Sequence, residues 1–319
     1  MNAHWKKYEL QFKTPARTSR GTYAVRSVWY LFLEKDGVTG IGECAPLPEL
    51  SRETPGQVEQ LLNEICTDPA GYLWSSERTV EIPSVHFALE TAWFDLHNGG
   101  KQQLFPSDFS NGKAGIAING LVWMGDAEFM QQQIAHKLKE GFSCIKLKIG
   151  GIDFEKELEI LRSVRSNYPP GQVTLRLDAN GAFSPDEALD KLQRLAPLQI
   201  HSIEQPIAAG QWEEMAQICK SSPIPVALDE ELIGLSSTEE KEELLNKIHP
   251  LYLILKPSLH CGLSGCSKWI ELAESHSIDW WVTSYLESNI GLNAIAQWTF
   301  SKNAKNYQGL GTGADRKST

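Results

Sequence analysis

The chain has 319 residues, 41% of them hydrophobic and 22% charged, and a formal net charge of −10 at pH 7. That length exceeds the usual small domain and points to one large α/β barrel or to two domains around a cleft. The acidity excludes a nucleic-acid surface, which needs clustered Lys and Arg, and no apolar run reaches the roughly 20 residues that span a bilayer.

Residues 1–12 (MNAHWKKYELQF) lack the apolar core and small-residue cleavage site of a secretory signal. Alternating, aromatic-rich stretches over 8–43, such as 27–33 (SVWYLFL), are separated by a turn at Asp36-Gly37 and predict antiparallel strands. A helix is predicted over 85–97, where Phe87, Ala88, Thr91, Ala92, Phe94 and Asp95 form an i, i+3, i+4 stripe. The stretch 105–113 (FPSDFSNGK) reads as a linker. Beyond it, short apolar strands alternate with helices, with strand ends expected near Asn119, Lys148, Asp178, Glu204, Asp229, Lys256 and Thr283. Successive ends lie about 25–30 residues apart, one βα unit each, so a barrel of about eight parallel strands is expected. Ser184-Pro185-Asp186-Glu187 carries a helix-start signal: a Ser cap, Pro at the first position and Glu at the capping-box position. The expected boundaries are an α+β domain over 1–110, a (β/α) barrel over 111–313 and a short tail over 314–319. That tail leaves open a truncated or altered end.

Catalytic groups in such barrels sit at the carboxyl ends of strands. Period-two alternation puts Lys146 and Lys148 on one face of 145–149 (IKLKI), and Arg176, Asp178 and Asn180 on one face of 175–180 (LRLDAN). The same parity recurs in 226–229 (VALD) and 251–256 (LYLILK). The apolar faces are expected to pack on the helices, leaving the charged faces to the barrel mouth, where isolated charges would be costly without compensation. Asp178, Glu204 and Asp229 then form a hard-oxygen set suited to Mg²⁺, flanked by Lys148 and Lys256. Such an arrangement suits a small-molecule carboxylate substrate: the cation takes up enediolate charge while a lysine moves the adjacent proton. Blander readings exist for other features. The run 239–243 (EEKEE) is expected to be a solvated helix face, Gly311-Thr312-Gly313 a turn, and His201 a packing or capping residue. The six cysteines (Cys44, Cys66, Cys144, Cys219, Cys261, Cys266) include no C-x-x-C pair and suit buried thiols in a reducing compartment. A cytoplasmic protein without nucleic-acid or membrane partners is expected, its oligomeric state left open.

The pattern resembles the enolase superfamily, in its muconate-lactonizing subgroup. Its K-x-K, D-x-N, E, D-E and later K are similar to Lys146-Leu147-Lys148, Asp178-Ala179-Asn180, Glu204, Asp229-Glu230 and Lys256-Pro257. Gly40-Ile41-Gly42-Glu43-Cys44-Ala45-Pro46 and Ala88-Leu89-Glu90-Thr91-Ala92 resemble the family's capping strand and helix. The resemblance implies a modified TIM-type barrel with an N-terminal α+β capping domain. A Lys base working with Mg²⁺ is a known trait of this superfamily. It implies Lys148 as the base, Lys146 as its helper, and Lys256 as a charge stabiliser or a second acid–base. It also implies a mobile cap loop at Thr18-Ser19-Arg20-Gly21 with Arg20 over the substrate, and substrate contacts from Asn119 and Asn180. The segment 283–291 (TSYLESNIG) is similar to the family's seventh strand, so Thr283, Ser284, Glu287 and Ser288 would surround a succinyl carboxylate; Tyr285 and Asn289 stand where serines are more usual. Within the subgroup the similarity is greatest to the o-succinylbenzoate synthases, which dehydrate a succinyl-hydroxycyclohexadiene carboxylate on the way to menaquinone. N-succinylamino acid racemases and dipeptide epimerases are the alternative.

Overall fold

The structure is a computed structural model and describes residues 1–18, 21–73, 75–123 and 125–311. Arg20 and the segment 312–319 therefore lie outside the described residues.

Asp36 and Gly37 both have positive φ, 51° and 81°, the conformation a tight hairpin needs. They join β2 (Gly21–Lys35) to β3 (Val38–Cys44), and β2 also pairs antiparallel with β1 (Asn2–Thr18). One face of this sheet is covered by α1 (Pro55–Thr67) and α3 (Pro83–His97), with α2 (Pro69–Leu73) packed on those two helices. Trp29, Leu31, Leu33, Val58, Leu62, Val85 and Ala92 form its buried core. The glycines of 40–42 (GIG) have a steric reason: a Cβ at Gly40 would overlap the Ala92 carbonyl, and one at Gly42 the Ala88 carbonyl. Strand and helix backbones thus meet with no side chain between them. Asp95 on α3 is buried and locks the contact, accepting from the Ile41 amide at 3.0 Å and the Gln102 amide at 2.6 Å.

The second unit is a curled sheet of seven parallel strands in the order β10-β9-β8-β7-β6-β5-β4. The strands are β4 (Gly120–Val122), β5 (Cys144–Lys148), β6 (Thr174–Asp178), β7 (Ser202–Glu204), β8 (Val226–Leu228), β9 (Tyr252–Leu255) and β10 (Asp279–Val282). Helices α4 (Ala127–Lys139), α5 (Phe154–Asn167), α6 (Pro185–Leu195), α7 (Trp212–Ser221), α8 (Thr238–Ile248) and α9 (Gly262–Ser275) fill the crossovers, and α10 (Asn289–Ser301) follows β10. In place of an eighth strand, residues 308 and 309 close the ring: Gln308 bridges to Ile118 and Gly309 to Thr283. The Asn119 amide donates to the Gln308 carbonyl at 3.0 Å and the Gly309 amide to the Val282 carbonyl at 2.8 Å. These two residues precede the turn expected at Gly311-Thr312-Gly313, whose last two residues lie outside the described ones.

Parity along the strands holds. Ile145, Leu147, Leu175 and Leu177 pack outward with the helices, while Ala227, Ile254 and Trp281 plug the interior. His201 is a packing residue, its ring 5.1 Å from that of Tyr252, and burial lowers its pKa to about 4. Ser184 and Pro185 open α6 as expected, although Ser184 makes no side-chain cap bond. The solvated-face reading of 239–243 fails at one position. Lys241 is buried, its ammonium 5.4 Å from the centre of the Trp269 ring. The six cysteines are unpaired and four of them are buried. No helix among the described residues is long and apolar enough to cross a membrane.

Because the contact between β3 and α3 has no spare volume, Gly42→Ala is expected to lower the unfolding free energy by about 1–3 kcal/mol. Denaturant unfolding checks this, and an unchanged midpoint would mean that the helix shifts freely.

Candidate active site

Register delivers the charged residues to one place. Lys148 on β5 stands opposite Asp178 on β6, which stands opposite Glu204 on β7. Asp229 follows β8 directly and Lys256 follows β9. All five, with Lys146, line one cavity between the barrel mouth and the cap. Asp178, Glu204 and Asp229 are 1%, 2% and 1% exposed, so their charges need partners close by.

Three ammonium groups supply them. Lys146 Nζ lies 2.9 Å from Asp178 Oδ2 and 2.7 Å from Glu204 Oε2. Lys148 Nζ lies 3.0 Å from the same Asp178 oxygen and donates to Asn180 Oδ1 at 2.6 Å. Lys256 donates to both carboxylate oxygens of Asp229. Burial alone would push Lys146 and Lys256 down, but the carboxylates outweigh it and hold both above the ordinary lysine value. Burial likewise opposes ionisation of Asp178, which Lys146 and Lys148 nevertheless hold below the usual carboxylate range. At Glu204, burial and the neighbouring Asp178 charge prevail, and its pKa is raised.

The three acids do not form a gathered metal cluster; among the described residues no three His, Cys, Asp or Glu side chains are arranged to hold an ion. Asp178 and Glu204 converge instead on one ammonium, so a positive charge already sits between two hard-oxygen donors. With no His or Cys among the described residues of the cavity wall, that donor set fits a cation such as Mg²⁺ rather than zinc.

The other expected contacts divide. Asn119, Asn180, Thr283 and Ser284 line the cavity. Asn119 is 3% exposed and its Oδ1 has no partner among the described residues. Thr283 Oγ1 donates to the Gly309 carbonyl at 3.0 Å. Glu287 and Ser288 are not in the cavity wall. Glu287 accepts from the Ser258 hydroxyl and, at 2.6 Å, from the Tyr285 amide. At the start of α10, the Ser288 amide donates to Glu43 Oε1 at 2.6 Å, the Ser288 hydroxyl to Glu43 Oε2, and the Gly291 amide to Glu43 Oε2 at 2.7 Å. Ser288, expected beside a substrate carboxylate, therefore joins the helix N-terminus in holding the cap's own. Burial pushes the Glu43 carboxyl up against the hydrogen bonds that favour its charged form. Arg26 adds a second clasp, donating to the Tyr285 and Ala45 carbonyls.

Several lining residues escaped the sequence reading. Leu47 and Leu50 from the cap, Leu121 on the first barrel strand and Trp123 just after it, and Trp281, Tyr285 and Leu286 build an apolar wall, while Gly309 and Gly311 complete the rim. Trp281 was detectable, since it shares the period-two face of Thr283; the cap leucines carry no such signal.

With this geometry established, the comparisons decide the family. The family model described as enolase C-terminal domain-like matches residues 130–317, and that of the MenC N-terminal domain matches residues 2–96. An o-succinylbenzoate synthase from Desulfotalea psychrophila is 45% identical, the match covering 98% of this chain and 94% of the relative. The chain belongs to the o-succinylbenzoate synthase family of the enolase superfamily. The crystal structure of MenC from Desulfotalea psychrophila superposes with a TM-score of 0.90 at 41% identity, covering 100% of this chain and 96% of the other. An N-succinylamino acid racemase from Thermus thermophilus is 28% identical over 89% of this chain and 78% of its own length. A dipeptide epimerase from Enterococcus faecalis complexed with Mg and a dipeptide shares the fold, with a TM-score of 0.82 at 21% identity, covering 97% of this chain and 89% of the other.

Because Ser288 is engaged by Glu43, Ser288→Ala is expected to lower stability by about 1–3 kcal/mol. Its KM should stay within about twofold of the parent. Paired unfolding and steady-state measurements decide; a large KM rise at unchanged stability would return Ser288 to the substrate.

Proposed function

We propose that the chain is an o-succinylbenzoate synthase, a hydro-lyase that removes water from 2-succinyl-6-hydroxy-2,4-cyclohexadiene-1-carboxylate to give o-succinylbenzoate for menaquinone biosynthesis. The observation that carries this reading is the 45% identity to a synthase along almost the whole chain, against 28% to the racemase relative.

In this reading Asp178, Glu204 and Asp229 hold Mg²⁺, which when bound supplies Lewis-acid compensation for the charge of an enediolate. Lys148 takes the proton from the carbon bearing the substrate carboxylate. It enters the step as the neutral amine, is the lysine nearest the strand end, and its Nζ donates to Asn180 Oδ1. Lys146, buried between two carboxylates, stays protonated and helps hold the substrate carboxylate. Lys256, kept protonated by Asp229, sets a positive charge beside the developing enediolate. The departing hydroxide needs one proton and Lys148 has gained one, so its return to the leaving group balances the step. Loss of water makes the ring aromatic, which drives the reaction forward. Asn119, Thr283 and Ser284 give the substrate's oxygen atoms polar contacts, and Leu47, Leu50, Trp123 and Leu286 shelter the ring from water. The unpaired thiols fit a reducing, cytoplasmic setting.

Lys148→Ala is expected to reduce dehydration by about 100-fold to 10,000-fold. In D₂O the wild-type protein, offered single enantiomers of N-succinylamino acids, should not build up label in the opposite enantiomer at a rate matching dehydration. Efficient two-sided labelling would instead mark a racemase. Near-native dehydration by Lys148→Ala would require a different base.

Calorimetric titration tests the metal assignment. Glu204→Gln should lose measurable Mg²⁺ binding while keeping its circular dichroism, and chelation should abolish wild-type turnover reversibly. Undiminished Mg²⁺ affinity in Glu204→Gln would remove that carboxylate from the ligand set.

A further inference from the structure

Lys148 ends in four rotatable bonds, so a lysine acting as a base has to be aimed. Its Nζ has an acceptor in Asn180 Oδ1 at 2.6 Å, and the amide of the same side chain donates through Nδ2 to Glu230 Oε1 at 3.0 Å. Asn180 and Glu230 both line the cavity, and Glu230 is 6% exposed. They come from different parts of the barrel. Asn180 lies two residues beyond the end of β6, in the left-handed region with φ 44°, its own amide held by Asp178 Oδ1 at 3.1 Å. Glu230 opens the 3₁₀ turn after β8.

A carboxamide is nearly symmetric in shape, and a half-turn about its last bond exchanges oxygen for NH₂ at little steric cost. Turned that way, Asn180 would offer donors to an ammonium that can only donate. A carboxylate accepts only, so Glu230 allows the arrangement in which NH₂ faces it and the carbonyl faces Lys148. We infer that Glu230 is a positioning residue for the reaction: through Asn180 it fixes the side chain that aims Lys148 at the substrate's α-carbon.

This rests on the reading of Lys148 as the base. The predicted effect falls on turnover rather than substrate affinity, because what is lost is alignment at the reacting centre. Glu230→Leu frees the amide to turn and should lower kcat by about 100-fold, the scale of a small misplacement, with KM within about threefold. A charge-conserving exchange separates positioning from packing. Asn180→Asp alone sets two carboxylates face to face and should be similarly slow. The double variant Asn180→Asp, Glu230→Gln restores one donor and one acceptor between the two positions and should recover most of the activity.

The experiment measures kcat and KM for dehydration by these full-length, Mg²⁺-loaded variants, with α-proton exchange in D₂O and melting temperature alongside. It also includes a crystal structure of Glu230→Leu. Expected are a kcat loss without matching KM change, rescue in the double variant, and Lys148 Nζ displaced from residue 180. The inference is overturned if Glu230→Leu turns over within about threefold of wild type, or if the double variant is no faster than Asn180→Asp. It is overturned equally if Asn180 still presents its oxygen to Lys148 in the Glu230→Leu crystal. A wild-type protein that neither dehydrates nor exchanges the proton would defeat the functional reading instead, and the crystal structure would still decide this one.

Discussion

Everything in the barrel mouth depends on neutralising buried carboxylates with buried ammonium groups. Asp178, Glu204 and Asp229 are nearly inaccessible to water, where an unpaired charge would cost several kcal/mol. Lys146, Lys148 and Lys256 reach them from neighbouring strands. The lattice of charges is possible because parallel pairing puts Lys148, Asp178 and Glu204 at one level. A slip of one residue in any of these strands would turn its ionic face outward onto the helices and its leucines inward. Register is therefore fixed twice over, by the apolar shell outside and the ionic mouth inside.

The cavity is not a property of the barrel alone. Its apolar wall includes Leu47 and Leu50 of the cap, so its shape depends on how firmly the cap is seated. Glu43 at the start of α10 and Arg26 on the Tyr285 carbonyl provide that seating through buried, charge-assisted hydrogen bonds. Both clasps grip the segment after β10, which itself contributes Thr283, Ser284, Tyr285 and Leu286 to the cavity. Seating the cap and shaping the cavity wall therefore depend on the same segment.

How far the site could be read in advance varies with the range of the interaction. The metal-type acids and the lysines were legible because a strand alternates strictly and Lys146-Leu147-Lys148 or Asp178-Ala179-Asn180 has one meaning for orientation once the strand is granted. The hairpin at Asp36-Gly37 and the α3 stripe were legible for the same local reason. Ser288 and Glu287 stand outside the cavity wall, a placement that local sequence could not give because their partners Glu43 and Ser258 lie 245 and 29 residues away along the chain. Lys241 was misread because charge composition says nothing about a tryptophan on the next helix. Gln308 and Gly309 were missed because two residues carry no periodicity, though they close the ring.

By itself, then, the sequence determined the alternation of strands and helices, the face on which each ionic residue stands and the donor chemistry available to a cation. Those follow from rules with a reach of a few residues: the pleat, the helical turn and the preferences of Gly, Pro and Ser. The tertiary structure decided which charges meet, since the Lys146–Glu204 and Lys256–Asp229 pairs depend on the curl of the sheet. It also decided that Glu43 takes the helix end and that Asn180 links Lys148 to Glu230, because such contacts join segments whose separation along the chain places no limit on their closeness in space.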